Sequence, residues 1–190
     1  DYETYCYSMP AKFGAIKRAN VVSDPSFTDK RISLYVINED TDGNLVQTNQ
    51  TVKDNLKIWL NRNRMLTDRI DIHDATIMNI GFDYQINVDP TRDKLGVLNT
   101  VNRKLNDEMS EKMYIGEPFS ISNVYNTINK TNGVVDVKEV KMKVASGTGR
   151  SNPSISIEDL LSKDGTKLIP PNNIILEIKN FFIDVRGTAQ

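Results

Sequence analysis

Apolar residues recur regularly along the middle of the chain, first at every second position and then at every third or fourth position. The first spacing is typical of a strand with one buried face, and the second is typical of a helix with one apolar stripe. With the turn residues between them, these periods predict four elements: a strand over Ile80–Val88, a helix over Asp93–Met113, a helix over Ser120–Thr131 and a strand from Val134. We expect this central β-α-α-β unit, residues 80–144, to organise the fold.

The remaining elements follow from shorter signals. Arg31–Asn38 alternates as a strand does, and Thr51 is placed to cap a helix that runs to about Met65. The tyrosine-rich Asp1–Pro10 is expected to be extended, and Asn173–Arg186 is expected to form the last strand. The long central helix should bury one stripe of apolar side chains: Leu95, Leu98, Val101, Leu105, Met109 and Met113.

Together these elements predict an α+β fold, with a mixed or antiparallel sheet and helices packed on one face. The length of 190 residues suits one domain, or one domain with a small appendage. We therefore expect an α+β domain over residues 1–144, a loop-rich segment over residues 145–171, and a strand segment over residues 172–190 that completes or extends the fold.

Charge and composition narrow the classes of function. The formal net charge is -1, which argues against a general nucleic-acid-binding protein because neutralising phosphates requires a basic face. The single cysteine, Cys6, leaves no intrachain disulfide, and no apolar run approaches the roughly 20 residues of a membrane span. We expect a soluble protein, and the start at Asp1 without a leader sequence suggests a fragment or a processed product.

The residue types that carry chemistry do not converge in the sequence. His73 is flanked by Asp71 and Asp74, but a metal site needs three or more converging ligands and the chain has no second histidine. Cys6 has no histidine near it in sequence to activate it as a nucleophile. The other carboxylates are scattered, so we predict no catalytic residue, no metal, no cofactor and a protein that is not an enzyme.

Two short motifs are similar to ligand-binding sequences. Ser146–Ser151 has the glycines of a phosphate loop, but an Asn-Pro pair follows where a Lys-Ser/Thr ending and a helix are needed, which favours a flexible linker. Gly81–Tyr84 is similar to the base-stacking strands of proteins that bind single-stranded RNA. Its two aromatic residues share a face with Ile80, however, and this favours a buried surface over a nucleic-acid site.

The order of several short motifs is more specific than any one of them. In chain order they are Leu66–Ile70, the strand to Val88, the amphipathic helix, Tyr114–Pro118, Ser120–Ser122 and Asn132–Val137. This order resembles the baseplate J-like family of contractile phage tails, and Pro10–Ala19 is similar to a segment of T4-like baseplate wedge proteins. The resemblance covers roughly residues 9–144.

The resemblance implies a structural subunit of the baseplate wedge that assembles into a ring. Its partners would be further copies of the chain, through ring or dimer contacts, and other wedge proteins, with no nucleic acid and no membrane. It would be located in the tail baseplate of the virion after assembly in the host cytoplasm. The alternatives are an equivalent subunit of a non-phage contractile injection system, or an unrelated ligand- or nucleic-acid-binding module.

Aromatic residues near the two ends of the chain are the candidate interface residues: Tyr2, Tyr5, Tyr7, Phe181 and Phe182. Tyrosine and phenylalanine are enriched in the buried centres of protein–protein interfaces. The alternative for the two phenylalanines is that they cover the protein's own core.

Overall fold

The computed structural model describes residues 2–24, 31–62, 68–151 and 153–190. The helices are α1 (Tyr2–Tyr7), α2 (Gln50–Asn61), α3 (Lys94–Glu108), α4 (Ile121–Asn129), α5 (Ile157–Leu160) and α6 (Phe181–Asp184). The strands are β1 (Arg18–Asp24), β2 (Arg31–Glu39), β3 (Leu45–Val46), β4 (Arg69–Asp74), β5 (Thr76–Val88), β6 (Phe119–Ser120), β7 (Val134–Val144), β8 (Lys167–Leu168), β9 (Ile174–Glu177) and β10 (Val185–Ala189). Mixed and antiparallel sheets combine with helices, which confirms the predicted α+β class.

The chain divides into two compact units whose segments interleave along the sequence. Unit 1 consists of Asp1–Thr76, Tyr114–Gly116 and Pro171–Ile175. Unit 2 consists of Ile77–Met113, Glu117–Pro170 and Leu176–Gln190. The predicted organisation into residues 1–144, 145–171 and 172–190 stays a prediction.

Unit 1 is a small sheet with two helices on one face. Strand β2 pairs antiparallel with β1 and β3 and parallel with β4, while α1 and α2 pack against each other and against β1 and β4 respectively. Alternate residues of β2 point to the helices, which is why the predicted period-two pattern there is confirmed. The buried cluster of unit 1 is Cys6, Met9, Ile16, Ala19, Ile32, Leu34, Val36, Leu56, Leu60 and Ile70.

Two local predictions for unit 1 are wrong. The tyrosine-rich start is the helix α1 and not an extended segment, because packing of the buried Cys6 against the cluster supplies the stability that a six-residue helix lacks alone. Helix α2 is capped by Asn49, whose Oδ1 accepts a hydrogen bond from the Thr51 N–H at 2.9 Å, so its cap lies two residues before the predicted one. The predicted end at Met65 lies outside the described residues.

Unit 2 is organised around β5, as the hydrophobic pattern predicts. Strand β7 pairs antiparallel with β5 and β10 pairs parallel with it, while β9 also pairs with β5. Helix α3 packs against β10 and α4, and α4 packs against β7. The five alternating residues of β5 that were expected to share a buried face are all buried: Ile80, Phe82, Tyr84, Ile86 and Val88.

The joints of the central β-α-α-β unit largely match the prediction. The Ser120 hydroxyl caps α4 by accepting a hydrogen bond from the Asn123 N–H at 3.2 Å, and Gly133 turns the chain into β7 with φ 97°. Helix α3 is shorter than predicted and ends at Glu108. Its buried stripe is also shifted: Val97 is buried, whereas Leu95, in the first turn of the helix, is 65% exposed.

The last predicted strand is wrong in its middle. Residues 173–186 form β9, then the four-residue helix α6, and only then the start of β10. Asp184 closes α6 by two hydrogen bonds with Asn180: its N–H donates to the Asn180 carbonyl at 2.9 Å, and its Oδ2 accepts from the Asn180 N–H at 3.0 Å. These two hydrogen bonds stabilise a helical turn between Asn180 and Asp184, where the apolar residues predict a strand.

Candidate functional site

The three N-terminal tyrosines have different surroundings on α1. The half-buried Tyr2 donates its hydroxyl hydrogen to the carboxylate of the buried Asp68. Tyr7 is 47% exposed, yet its hydroxyl oxygen accepts a hydrogen bond from the backbone N–H of Ala19 at 3.0 Å. Tyr5 is 38% exposed and its carbonyl accepts the indole N–H of Trp59 at 3.0 Å. Their role in an interface stays a prediction, and each already has a contact within unit 1.

Helix α1 also protects the outer edge of the unit 1 sheet. Strand β1 pairs with β2 on one side, so the N–H groups of alternate residues point away from the sheet on the other. Ala19 donates such an N–H to Tyr7, and Val21 donates its own to the Glu3 carboxylate at 3.3 Å. Because an unsatisfied strand edge can pair with another chain, these two acceptors block part of that edge.

The two phenylalanines near the other end of the chain, Phe181 and Phe182, differ in exposure. Their rings make an edge-to-face contact with centroids 5.6 Å apart. Phe181 is buried and contributes to unit 2, whereas Phe182 is 72% exposed and the next residue, Ile183, is 53% exposed. The geometry therefore leaves Phe182, and not Phe181, available to a partner.

A buried polar cluster in unit 2 joins β5 and β9 to the segment after α3 and to the glycine-rich loop at residues 146–151. The Glu177 side chain is only 2% exposed, and its two oxygens accept hydrogen bonds from the Asn79 amide at 2.8 Å and from the Lys112 ammonium at 3.0 Å. The Asn79 Oδ1 in turn accepts the backbone N–H of Ser151 at 2.8 Å. Each contact compensates part of the cost of burying a carboxylate.

A second buried ion pair joins the glycine-rich loop to α6. The Arg150 guanidinium donates to Asp184 Oδ1 at 2.6 Å, and the two side chains are 11% and 3% exposed. Lys179 donates to the carbonyl of Gly149, one residue earlier in the same loop. Residues 149–151 therefore have fixed partners within unit 2, in contrast to the flexible linker that the sequence suggested.

The two other candidates for chemistry, His73 and Cys6, differ in exposure. His73 is exposed, and its ring stacks obliquely on Tyr35 with centroids 5.7 Å apart. Burial raises the pKa of the Cys6 thiol to about 12, so its thiolate is scarce at neutral pH. Across the ranges that the structure describes, no three His, Cys, Asp or Glu side chains are arranged to hold a metal ion.

A polar groove of about 350 Å³ lies between α3 and α4. It is lined by Lys104, Glu108, Asn123, Asn126, Thr127 and Lys130. The Thr127 hydroxyl donates to the Glu108 carboxylate across the groove. The mixture of both charge signs with neutral amides selects no particular class of ligand.

Comparison with known proteins assigns no family to this chain. No family model matches it, and no curated protein matches it. Among the described helices, none is long and apolar enough to cross a membrane.

Proposed function

We propose that the chain is a structural subunit of a contractile phage tail baseplate wedge, which assembles into a ring and contacts other wedge proteins. The resemblance is closest to the T4-like baseplate wedge protein known as gene product six. The equivalent subunit of a non-phage contractile injection system is the alternative. Both assign the chain to assembly and not to catalysis.

The motifs of the resemblance coincide with joints where the backbone needs particular residues. Gly116 in the Tyr114–Pro118 motif has φ 77°, which favours glycine, and a Cβ there would make a tight contact of 3.3 Å with the Asn172 Cα. Ser120 caps α4, and Gly133 has φ 97°. These joints support an ordered packing unit, although Leu66 and Thr67 of the first motif lie outside the described residues.

The exposed pair Phe182–Ile183 is the observation that carries the assembly proposal. Fully burying a large apolar side chain contributes about 1.5–3 kcal/mol of stabilising free energy. Because Phe182 is 72% exposed, most of this stabilisation is absent in the isolated chain. The buried Phe181 beneath it and the Asn180–Asp184 hydrogen bonds hold α6 in place, so the exposed ring is presented from an ordered turn. Ordered exposed aromatic residues are frequent anchors of protein interfaces.

The competing nucleic-acid interpretation loses its main support. Phe82 and Tyr84 are 0% and 1% exposed, so their rings are closed to bases.

The test is the association of the purified chain with the proteins encoded beside its gene, measured by sedimentation velocity. We expect a complex with other tail proteins or a ring-sized oligomer. Replacing Phe182→Ser should weaken association about tenfold or more, as removal of an aromatic anchor does.

The matched control is Ile58→Ser, which removes an apolar side chain that is 58% exposed on α2 in unit 1. It should leave the association constant unchanged. A chain that stays monomeric at high concentration and ignores the tail proteins would overturn the assembly role. Equal weakening by the two variants would remove Phe182 as its anchor.

A further inference from the structure

Strand β7 forms an outer edge of the unit 2 sheet. It pairs with β5 along most of its eleven residues, and within the described ranges no strand pairs with its other side. Every residue of Val140–Val144 keeps part of its surface in solvent. Helices α4 and α5 also contact β7, so this half of the strand is partly accessible along its length.

The register fixes which backbone groups face outward. The N–H of Val140 donates to the Tyr125 hydroxyl on α4 at 2.9 Å, so it points away from β5. Since the direction of N–H and C=O groups alternates along an antiparallel strand, those of Met142 and Val144 point the same way. An added strand would find hydrogen-bonding groups at both positions.

The solvent face beside this edge is basic. Lys141 and Lys143 lie on it, and the register places Lys141 and Arg186 on either side of Asp83. Asp83 is ion-paired with Lys143. The register also places Glu139 on this face, so two carboxylates among three cations leave it with a small net positive charge.

We propose that the edge of β7 at Val140–Val144 binds an extended segment of a partner protein that carries acidic residues at alternate positions. Main-chain hydrogen bonds to Met142 and Val144 supply the pairing, and carboxylates opposite Lys141 and Lys143 supply the selectivity. The inference rests on the assembly role proposed above and names the chemistry of one partner.

A second copy of the same strand fits this edge poorly. A symmetric antiparallel pair centred on Lys141, Met142 or Lys143 places a lysine directly opposite a lysine. Like charges in directly opposed positions destabilise a strand pair. A pair centred on Val140 would place a glutamate opposite Lys141, but the outward Val140 N–H is already bound to Tyr125. In the other registers the charge pattern favours a different, acidic strand.

The probe is an acetylated and amidated octapeptide of alternating glutamate and valine, with alternating lysine and valine as the control peptide. Binding is followed by backbone amide chemical shifts and hydrogen exchange of the full chain. We expect the acidic peptide to slow exchange at Met142 and Val144 and to lose affinity as salt is raised, while the basic peptide does neither.

Variants separate pairing from charge. Met142→Pro removes an outward N–H, which an edge strand tolerates, and should lower peptide affinity about tenfold or more. Lys141→Glu should lower it by about threefold to tenfold, whereas Lys163→Glu, an exposed lysine on another loop, should not. Lys141→Glu changes an exposed side chain and keeps the test valid if the proline variant fails to fold.

The proposal is overturned if the acidic peptide leaves these amides unchanged, or binds wild type and both β7 variants equally. Its failure is distinct from failure of the assembly role. Tail proteins that associate normally with Lys141→Glu and Met142→Pro would leave assembly standing and exclude this edge as the docking site.

Discussion

Unit 1 and unit 2 both place helices beside a sheet, but they treat the sheet's outer edge differently. In unit 1 the side chains of Glu3 and Tyr7 reach from α1 to the outward N–H groups of β1. In unit 2 Tyr125 reaches from α4 to Val140, and the same edge continues through Met142 in solvent. A helix beside a sheet can therefore close the outer edge or leave it for a partner, depending on how many hydrogen-bond acceptors it directs to that edge.

Two ion pairs, one in each unit, differ strongly in burial. The Arg31–Asp71 pair of unit 1 is long, at 3.9 Å, and its side chains are 49% and 43% exposed. The Arg150–Asp184 pair of unit 2 is short and nearly buried. Burying a pair makes each partner depend on the other, because a single buried charge cannot be compensated by water.

The largest expected effect comes from breaking the buried pair. Asp184→Ala leaves the Arg150 guanidinium buried without its carboxylate and also removes the acceptor for the Asn180 N–H. We expect the free energy of unfolding to fall by about 3–5 kcal/mol, measured by urea denaturation.

The control for this prediction is the exposed pair of unit 1. Asp71→Ala should change the free energy of unfolding by about 1 kcal/mol or less, because solvent screens the interaction. If both variants lose the same stability, the difference in burial does not govern the strength of these two pairs.

The second expected effect concerns the close approach that buries Asp184. A Cβ added at Gly81 of β5 would lie 2.2 Å from the carbonyl oxygen of Asp184, so backbone would have to move. Gly81→Ala should therefore cost about 1–3 kcal/mol of unfolding free energy, as overpacking does.

Gly96→Ala in α3 is the matched control. Its added Cβ would meet the carboxylate of Asp93 at 2.9 Å, and moving this carboxylate would weaken the cap of α3. Alanine favours a helix by about 1 kcal/mol over glycine, which offsets that cost. Thermal unfolding should show little loss or a gain for this variant. If Gly96→Ala loses as much stability as Gly81→Ala, then the contact with the Asp184 backbone does not explain the cost at Gly81.

The sequence predicts the unit 2 sheet well because β5 has one buried face and strict alternation. It predicts the adjoining helix less well, since Leu95 has the right spacing but is 65% exposed. Periodicity defines a possible apolar stripe, and only the neighbouring elements decide how much of it is covered.

The buried charges were harder to anticipate. Glu177 lies within the run Ile174–Ile178, and a carboxylate in a run of apolar residues is a signal of a buried, paired charge. The identity of its partners is not a local property, because Asn79 and Lys112 are 98 and 65 residues away. Composition likewise marks both phenylalanines as interface candidates, but only the turn of α6 exposes Phe182 and buries Phe181.

The smallest expected effect bears most directly on the two sheet edges. Tyr7→Phe and Tyr125→Phe each remove one hydroxyl acceptor from an outward strand N–H, at Ala19 and Val140 respectively. Because water can replace an acceptor at an accessible edge, each should cost only about 0.5–1.5 kcal/mol of unfolding free energy. Hydrogen exchange should accelerate at Ala19 in the first variant and at Val140 in the second.

The neighbouring outward amides distinguish closed from open edges. In Tyr7→Phe, Val21 should keep its protection because Glu3 still accepts its N–H. In the wild-type chain, Met142 should already exchange faster than Ala19, since α1 supplies an acceptor to Ala19 while the edge at Met142 faces solvent. Equal protection of Met142 and Ala19 would mean that the β7 edge is closed in the isolated chain, and that the two units treat their outer sheet edges alike.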